Sequence, residues 1–218
     1  MKRALFLIAP LIIFVTTPSH AYEDGDFQIW HTENQDMKLT DHAKLTAEEE
    51  FRWGDDAREL FYQHYDFGAV CTINKNLDLG VNYRLIYEKK SGEFKPENVI
   101  HANVTPKLDL WGFKFEDRNR FAYKYFDYQD DYAQYRNKLA IKYPFPLFKL
   151  KLEPYVANEM FVDFKDKGGF TQNRLFGGLG IEILKGMKAE LYYMFQCKKS
   201  SGKWKDANIF GSKFKIAF

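Results

Sequence analysis

Only two cysteines, Cys71 and Cys197, occur in 218 residues. That excludes a disulfide framework and leaves either a single bridge or two apolar strand residues. Neither C-x-x-C nor H-E-x-x-H is present, and His31 and His42 stand eleven apart near a turn, so metal-ligand spacing is lacking and no cofactor or metal is expected. Serine is scarce: past the N-terminal segment there are Ser91, Ser200, Ser201 and Ser212, none in a G-x-S-x-G elbow. Ser91, Ser200 and Ser201 fall in expected loops, and a Ser-His pair with His64 or His101 would need the fold to bring them within hydrogen-bond reach. An enzyme is therefore not expected, and an outer-membrane lipase or acylhydrolase is the alternative. Also missing are a Pro/Gly/Ser linker and a low-complexity tract, so one domain is expected. No segment beyond residue 21 is apolar for long enough to form a membrane helix, and the mean hydropathy is −0.49.

The one long apolar run lies at the start. Lys2 and Arg3 precede Ala4–Val15, then Thr16, Thr17, Pro18 and Ser19-His20-Ala21. This is the pattern of a secretory signal peptide with a small-x-small site, cleaved after Ala21. The run is shorter than the roughly 20 residues of a spanning helix and is broken by Pro10. Residues 22–218 would form the mature domain. Removing Lys2 and Arg3 from 32 basic residues leaves 30 against 30 acidic ones, a balance that gives no reason to expect a nucleic-acid partner.

What is present is alternation. In "LDLGVNYRLIYE", Leu77, Leu79, Val81, Tyr83, Leu85 and Tyr87 fall on one face and Asp78, Gly80, Asn82, Arg84 and Glu88 on the other, with Ile86 the misfit. The same period of two governs "FKLKLEPYV" and "MKAELYYMFQCK". Short turns near Asp41-His42, Asn74-Lys75-Asn76, Trp111-Gly112, Pro144-Phe145-Pro146 and Lys185-Gly186 recur every 33 to 39 residues. Longer polar connections are expected between them at Gly54–Arg58, Lys89–Lys95, Asp127–Asp131, Asp163–Gly169 and Lys198–Lys205. The pattern predicts an up-and-down meander, short turns on one rim and longer loops on the other.

Alternation does not itself say which face is wet. Strands of ten or more residues match the roughly 9–11 needed to cross a bilayer at a tilt. Aromatics gather near strand ends, Trp111, Phe113, Tyr143 and Phe148 at one rim and Trp53, Tyr87, Tyr125 and Phe195 at the other, as interfacial girdles do. The last residues, "NIFGSKFKIAF", put Phe210, Phe214, Ile216 and Phe218 on one face. They resemble the C-terminal targeting strand of bacterial outer-membrane proteins, which the barrel-assembly machinery reads. The expected fold is all-β, an antiparallel up-and-down transmembrane β-barrel of 10–12 strands in the bacterial outer membrane. Its partners would be outer-membrane lipids and lipopolysaccharide, together with the assembly machinery and periplasmic chaperones.

The segments "DFQIW" (Asp26–Trp30), "GVNYR" (Gly80–Arg84), "DRNRF" (Asp117–Phe121), "YRNKL" (Tyr135–Leu139), "PYVANEMFVDF" (Pro154–Phe164) and "QNRLFGGLG" (Gln172–Gly180) are similar to those of the bacterial family catalogued as domain of unknown function 2490. The resemblance covers essentially the whole mature chain. It implies an envelope barrel and carries over no activity.

Ten clear strands run from Leu45 onward, and Phe27–Leu39 adds an eleventh stretch. Closed bacterial barrels usually have an even number with both ends in the periplasm. Three resolutions stay open: Phe27–Leu39 is not a full crossing, Tyr22–Asp26 threads back through the interior, or a twelfth strand exists. Alternation also sends Asp117 and Asn119 to the lipid face, where a bulge would turn them inward.

The polar face supplies lumen candidates, chief among them Glu50, Arg52, Arg84, Arg118, Arg120, Arg136, Glu159 and Arg174. Cross-strand ion-pair ladders are one reading of these charges. A narrow, porin-like pore or small-solute conduit is the other, since ten to twelve strands fall between a filled barrel and an open channel. Asp55-Asp56 and Asp130-Asp131 suit solvated turns, with Ca²⁺ bridging to lipopolysaccharide phosphate the alternative.

Overall fold

A computed structural model describes residues 24–147, 150–165, 168–200 and 202–218. The expected signal peptide and its cleavage site lie outside the described residues, as do Tyr22, Phe148 and Ser201. Twelve strands follow one another: β1 (Asp26–Lys38), β2 (Ala43–Gly54), β3 (Glu59–Asn74), β4 (Leu77–Lys90), β5 (Glu93–Leu110), β6 (Phe113–Phe126), β7 (Tyr132–Lys142), β8 (Phe145–Leu147), β9 (Leu150–Asp163), β10 (Gly169–Leu184), β11 (Met187–Ser200) and β12 (Lys203–Ala217). Each long strand pairs antiparallel with its successor, β9 with β10 as well as with β7, and β12 returns to β1. The sheet is therefore closed. The three-residue β8 pairs with β9 just past the end of β7, so β7 and β8 share one stave and the barrel has eleven.

An odd number of staves forces the closing pair to run parallel, and β1 and β12 do so over Asp26↔Ala207 through Asp36↔Ala217. This resolves the parity problem. Asp26–Lys38 is a full crossing, and no twelfth stave occurs among the described residues. Asp24 and Gly25 do not thread the interior: the Gly25 amide donates to the Asp206 carbonyl at 3.0 Å, and Asp24 Oδ1 accepts from the Asp206 amide at 2.8 Å. They sit at the rim beside β12, opposite the rim where Phe218 ends.

The connections differ from expectation at that first rim. Asp55–Arg58 and Asp127–Asp131 are loops, but the expected loop Lys89–Lys95 shrinks to Ser91-Gly92, with φ of 51° and 87°. Positive φ at both central residues is the geometry of the tight hairpin turns that match strand twist. The flanking charges pair along each strand, Lys90 with Glu88 at 2.6 Å and Lys95 with Glu93 at 2.7 Å, and Lys90 stands opposite Glu93 in the ladder. β4 and β5 therefore continue as strand, and β11 and β12 likewise run as strand to Ser200 and from Lys203 through most of the expected loop Lys198–Lys205.

Alternation sets sidedness throughout. On β12, Phe210, Phe214 and Phe218 face out, while Ala207, Ile209 and Gly211 are buried inside. The exposed large hydrophobics, among them Phe67, Val81, Phe121, Val156, Leu175 and Leu191, form the outer belt. Aromatic pairs mark its margins: Phe113 with Tyr143 (4.9 Å between ring centroids) near the short-turn rim, and Tyr123 with Tyr125 (4.8 Å) and Phe170 with Trp204 (5.5 Å) towards the other. Cys71 is exposed and Cys197 half-buried, and both are free.

Asp117 and Asn119 depart from the bulge expectation. The β6–β7 register runs unbroken from Lys114↔Lys142 to Lys124↔Tyr132, so both side chains stay on the outer face. They are satisfied there by one another and by neighbours. Asn137 Nδ2 donates to Asp117 Oδ1 (2.5 Å), Tyr135 donates its hydroxyl to Asn119 Oδ1 (2.5 Å), and Asn119 Nδ2 donates to Asp117 Oδ2 (3.2 Å). Local hydrogen bonding across two strands lowers the cost of the polar groups in place of a backbone bulge.

Candidate functional site

The lumen is layered. Towards the short-turn rim its wall carries ion pairs between neighbouring strands: Lys44 and Lys215 both reach Asp36 (2.5 and 2.9 Å), Lys107 reaches Asp78 (2.8 Å) and Lys142 reaches Glu116 (2.7 Å). Each pair joins inward residues of different strands. A half-buried charge held this way loses less free energy than an unpaired one.

Above this ladder lie two cavities, of about 110 and about 300 Å³. Trp30, Arg52, Arg84, Arg120, Arg136 and Arg174 line both, and so form the constriction between them. The belt is braced by aromatic faces. The Arg52 guanidinium lies 3.6 Å from the Trp30 ring centroid and 3.8 Å from that of Tyr62. Arg136 and Arg174 lie 4.5 and 4.7 Å from the Phe161 ring centroid. Stacking of a planar guanidinium on a ring is favourable and fixes its plane.

Carboxylates hold the other edge. Glu159, 2 % exposed, accepts from Arg118 (2.9 Å) and Arg136 (2.8 Å) through Oε1 and from Arg174 (3.2 Å) through Oε2. Arg84 donates to Asp66 at 2.6 Å and to Glu48 at 2.9 Å, Arg52 donates to Glu50 at 2.6 Å, and His101 Nε2 bonds Asp66 at 2.8 Å. His64, 1 % exposed, sits between Tyr62 Oη (3.1 Å) and Glu48 (3.1 Å). Arg120 is the exception. It is 6 % exposed, its Nε donates to Asn103 Oδ1 at 2.8 Å, and no carboxylate lies within ion-pair distance of it among the described residues.

The larger cavity opens towards the loop rim. Its lining includes nine Lys or Arg side chains against Glu88, Glu97 and Asp163; seven of the nine are ion-paired, four of them to Glu48, Glu50, Asp66 and Glu159, so a modest cationic excess remains. Glu97 is held by Lys124 at 2.8 Å. Tyr128, in the loop above, stands over the mouth, and burial with Glu97 and Glu88 nearby pushes its phenol up to about 12. It stays a neutral hydrogen-bonding group there.

All eight lumen candidates lie inside and within this one neighbourhood: Glu50, Arg52, Arg84, Arg118, Arg120, Arg136, Glu159 and Arg174 line one or both cavities. Sequence reasoning missed the inner aromatics Trp30, Tyr62 and Phe161. Their even or odd positions matched the ionic face all along, but expecting a purely ionic face hid them. It also missed two apolar patches inside, one where Met194, Ala207 and Ile209 are fully buried and another where Ile86, no misfit but an inward residue, packs with Tyr62, Val99 and Ala122. Among the described residues no group of His, Cys, Asp and Glu is arranged to hold a metal, and no helix is long and apolar enough to cross a membrane.

The chain defines a closed β-barrel of the transmembrane kind, with its apolar face outward and its charges within. It belongs to the family described as Protein of unknown function (DUF2490), whose model matches residues 27–207. Among solved structures it is similar to LpxR from Salmonella typhimurium, with 12% identity, a TM-score of 0.51, and 85% of this chain and 87% of that chain covered. It is similar also to the beta domain of the Bordetella autotransporter BrkA, with 10% identity, a TM-score of 0.51, and 83% and 86% covered. At such identities the likeness is one of fold. No curated protein matches the chain in sequence.

Proposed function

We propose that the protein is an outer-membrane barrel whose lumen is a narrow, anion-favouring conduit for small solutes. The observation that carries this reading is the shared lining of the two cavities, five arginines and Trp30, with Arg120 unneutralised. Rings of Arg and Lys select anions by electrostatics, and low-dielectric walls focus their field. The cationic vestibule raises the local anion concentration at the entrance, and the belt sets the size limit. The outward apolar band and its aromatic margins support residence in outer-membrane lipid, with lipopolysaccharide around the loop rim. The outward row Phe210, Phe214, Ile216 and Phe218 supports recognition of β12 by the barrel-assembly machinery after passage with periplasmic chaperones.

Planar-bilayer recording of refolded protein under a KCl gradient tests the conduit. Small stepwise conductance with a reversal potential on the anion side is expected. Silent bilayers, with insertion shown by protease protection, would replace the conduit by a structural barrel, the reading that the ion-pair ladder below the belt favours.

A further inference from the structure

The parallel seam creates a second constellation, on the outside of the barrel and independent of the lumen reading. His31 of β1 and Ser212 of β12 are register partners although 181 residues apart. His31 Nδ1 lies 2.8 Å from Ser212 Oγ, and His31 Nε2 lies 3.2 Å from Glu33 Oε1. A carboxylate only accepts, so the ring proton sits on Nε2, and Nδ1 is left to accept from the serine hydroxyl. Nucleophile, base and orienting acid are thus in line.

The surroundings are apolar. Phe210 and Phe214 flank Ser212 on the outer face of β12, Ile29 precedes His31 on β1, and Phe214 meets the His31 ring edge-on at 5.8 Å. Glu33 is nearly half exposed and stands opposite Glu49 across the β1–β2 ladder. Ionisable side chains on a membrane-facing surface are costly and mark functional sites by default. A second outer polar group, around Asp117, is satisfied within itself and holds no serine, cysteine or histidine.

We infer that Ser212, His31 and Glu33 form a serine esterase site that takes a carboxylic ester of a membrane lipid from the bilayer. Ser212 Oγ attacks the ester carbonyl carbon as its proton passes to His31 Nδ1. The tetrahedral adduct collapses, the bond to the lipid alkoxide breaks, and the alkoxide leaves with the proton from Nδ1. Water then gives a proton to Nδ1 and its oxygen to the acyl carbon. The fatty acid departs and the proton returns to Ser212. Glu33 acts as a positioning residue, fixing the tautomer and stabilising the imidazolium. Phe210 and Phe214 supply the bed for the acyl chain.

The test uses the full mature barrel refolded into vesicles of phosphatidylethanolamine and phosphatidylglycerol, with folding followed by heat-modifiable electrophoretic mobility. A long-chain alkylsulfonyl fluoride is expected to label Ser212, located by peptide mass, and His31→Gln to abolish the label. Fatty-acid release is expected to fall by about 10³-fold in Ser212→Ala and to be unchanged in Ser91→Ala. Glu33→Gln is expected to lower kcat with KM unchanged and to move the acid limb of the kcat profile to lower pH. A folded wild-type barrel that takes no label overturns the site, and so does release that persists in Ser212→Ala. Labelling without fatty-acid release from either phospholipid overturns the lipid-ester assignment.

Discussion

Phe218 donates its backbone N–H to the carbonyl of Asp36 at 2.9 Å, and its own carbonyl accepts from the Lys38 amide at 3.2 Å. Phe218 is therefore the last rung of the closing seam, and the residue is 75% exposed. Closure of the barrel and presentation of the terminal aromatic depend on the same few atoms.

Deleting Phe218 removes both rungs. It is expected to lower the yield of heat-modifiable, folded barrel both in cells and in refolding into detergent. Phe218→Ala keeps the backbone bonds and is expected to reduce yield in cells while refolding normally. Equal yields of all three proteins in cells would contradict a role for the terminal aromatic in assembly.

Glu159→Gln leaves Arg118, Arg136 and Arg174 around a neutral amide. Breaking a buried ion pair by removing one partner costs about 3–5 kcal/mol. The midpoint of urea unfolding in detergent or vesicles is expected to fall accordingly. Replacing Arg120, which has no carboxylate partner, by Gln is expected to lower that midpoint less than Glu159→Gln does and to weaken anion selectivity in bilayer recordings.

Trp30 separates the two cavities and packs on Arg52. Trp30→Ala frees the guanidinium and joins the cavities. Larger single-channel steps are expected, with a stability loss of about 3–5 kcal/mol for an aromatic truncated in a packed interior. Unchanged conductance would place the size limit elsewhere.

In the turn after β1, the Lys38 ammonium donates to Asp41 at 2.6 Å and holds that carboxyl below its ordinary value of 3.8. A depressed folded value contributes stability that is present above the unfolded value and lost as pH falls through the folded one. The window is therefore acidic, below about pH 4. NMR titration of Asp41 is expected to show the depressed midpoint, and Lys38→Met to return it to the ordinary range.

Much of the barrel was legible because period two is a local property. Leu79, Val81 and Tyr83 announce an apolar face regardless of what they meet, and Arg84 and Glu159 announce the inner one. What could not be read locally was pairing across the chain. The parallel match of His31 with Ser212 follows only once eleven staves close into a ring, so the sequence showed a lone histidine placed near a turn and a serine without a partner. In the closed barrel His31 is mid-strand. The inner aromatics were hidden for a different reason: Trp30 and Tyr62 fit either face of a strand, and only their packing on Arg52 fixes their role. Lys89–Lys95 looked like a loop because charge density was read as solvent, whereas paired charges extend a ladder.

The central claim is that apolar side chains such as Val81, Val156 and Leu175 face hydrocarbon while the arginines face the lumen. It is tested most directly by spin labels at these three positions, in a background with Cys71 and Cys197 replaced, in vesicles. Strong relaxation by oxygen and weak relaxation by a water-soluble nickel chelate are predicted at all three. The reverse order of the two relaxants at these sites would contradict it.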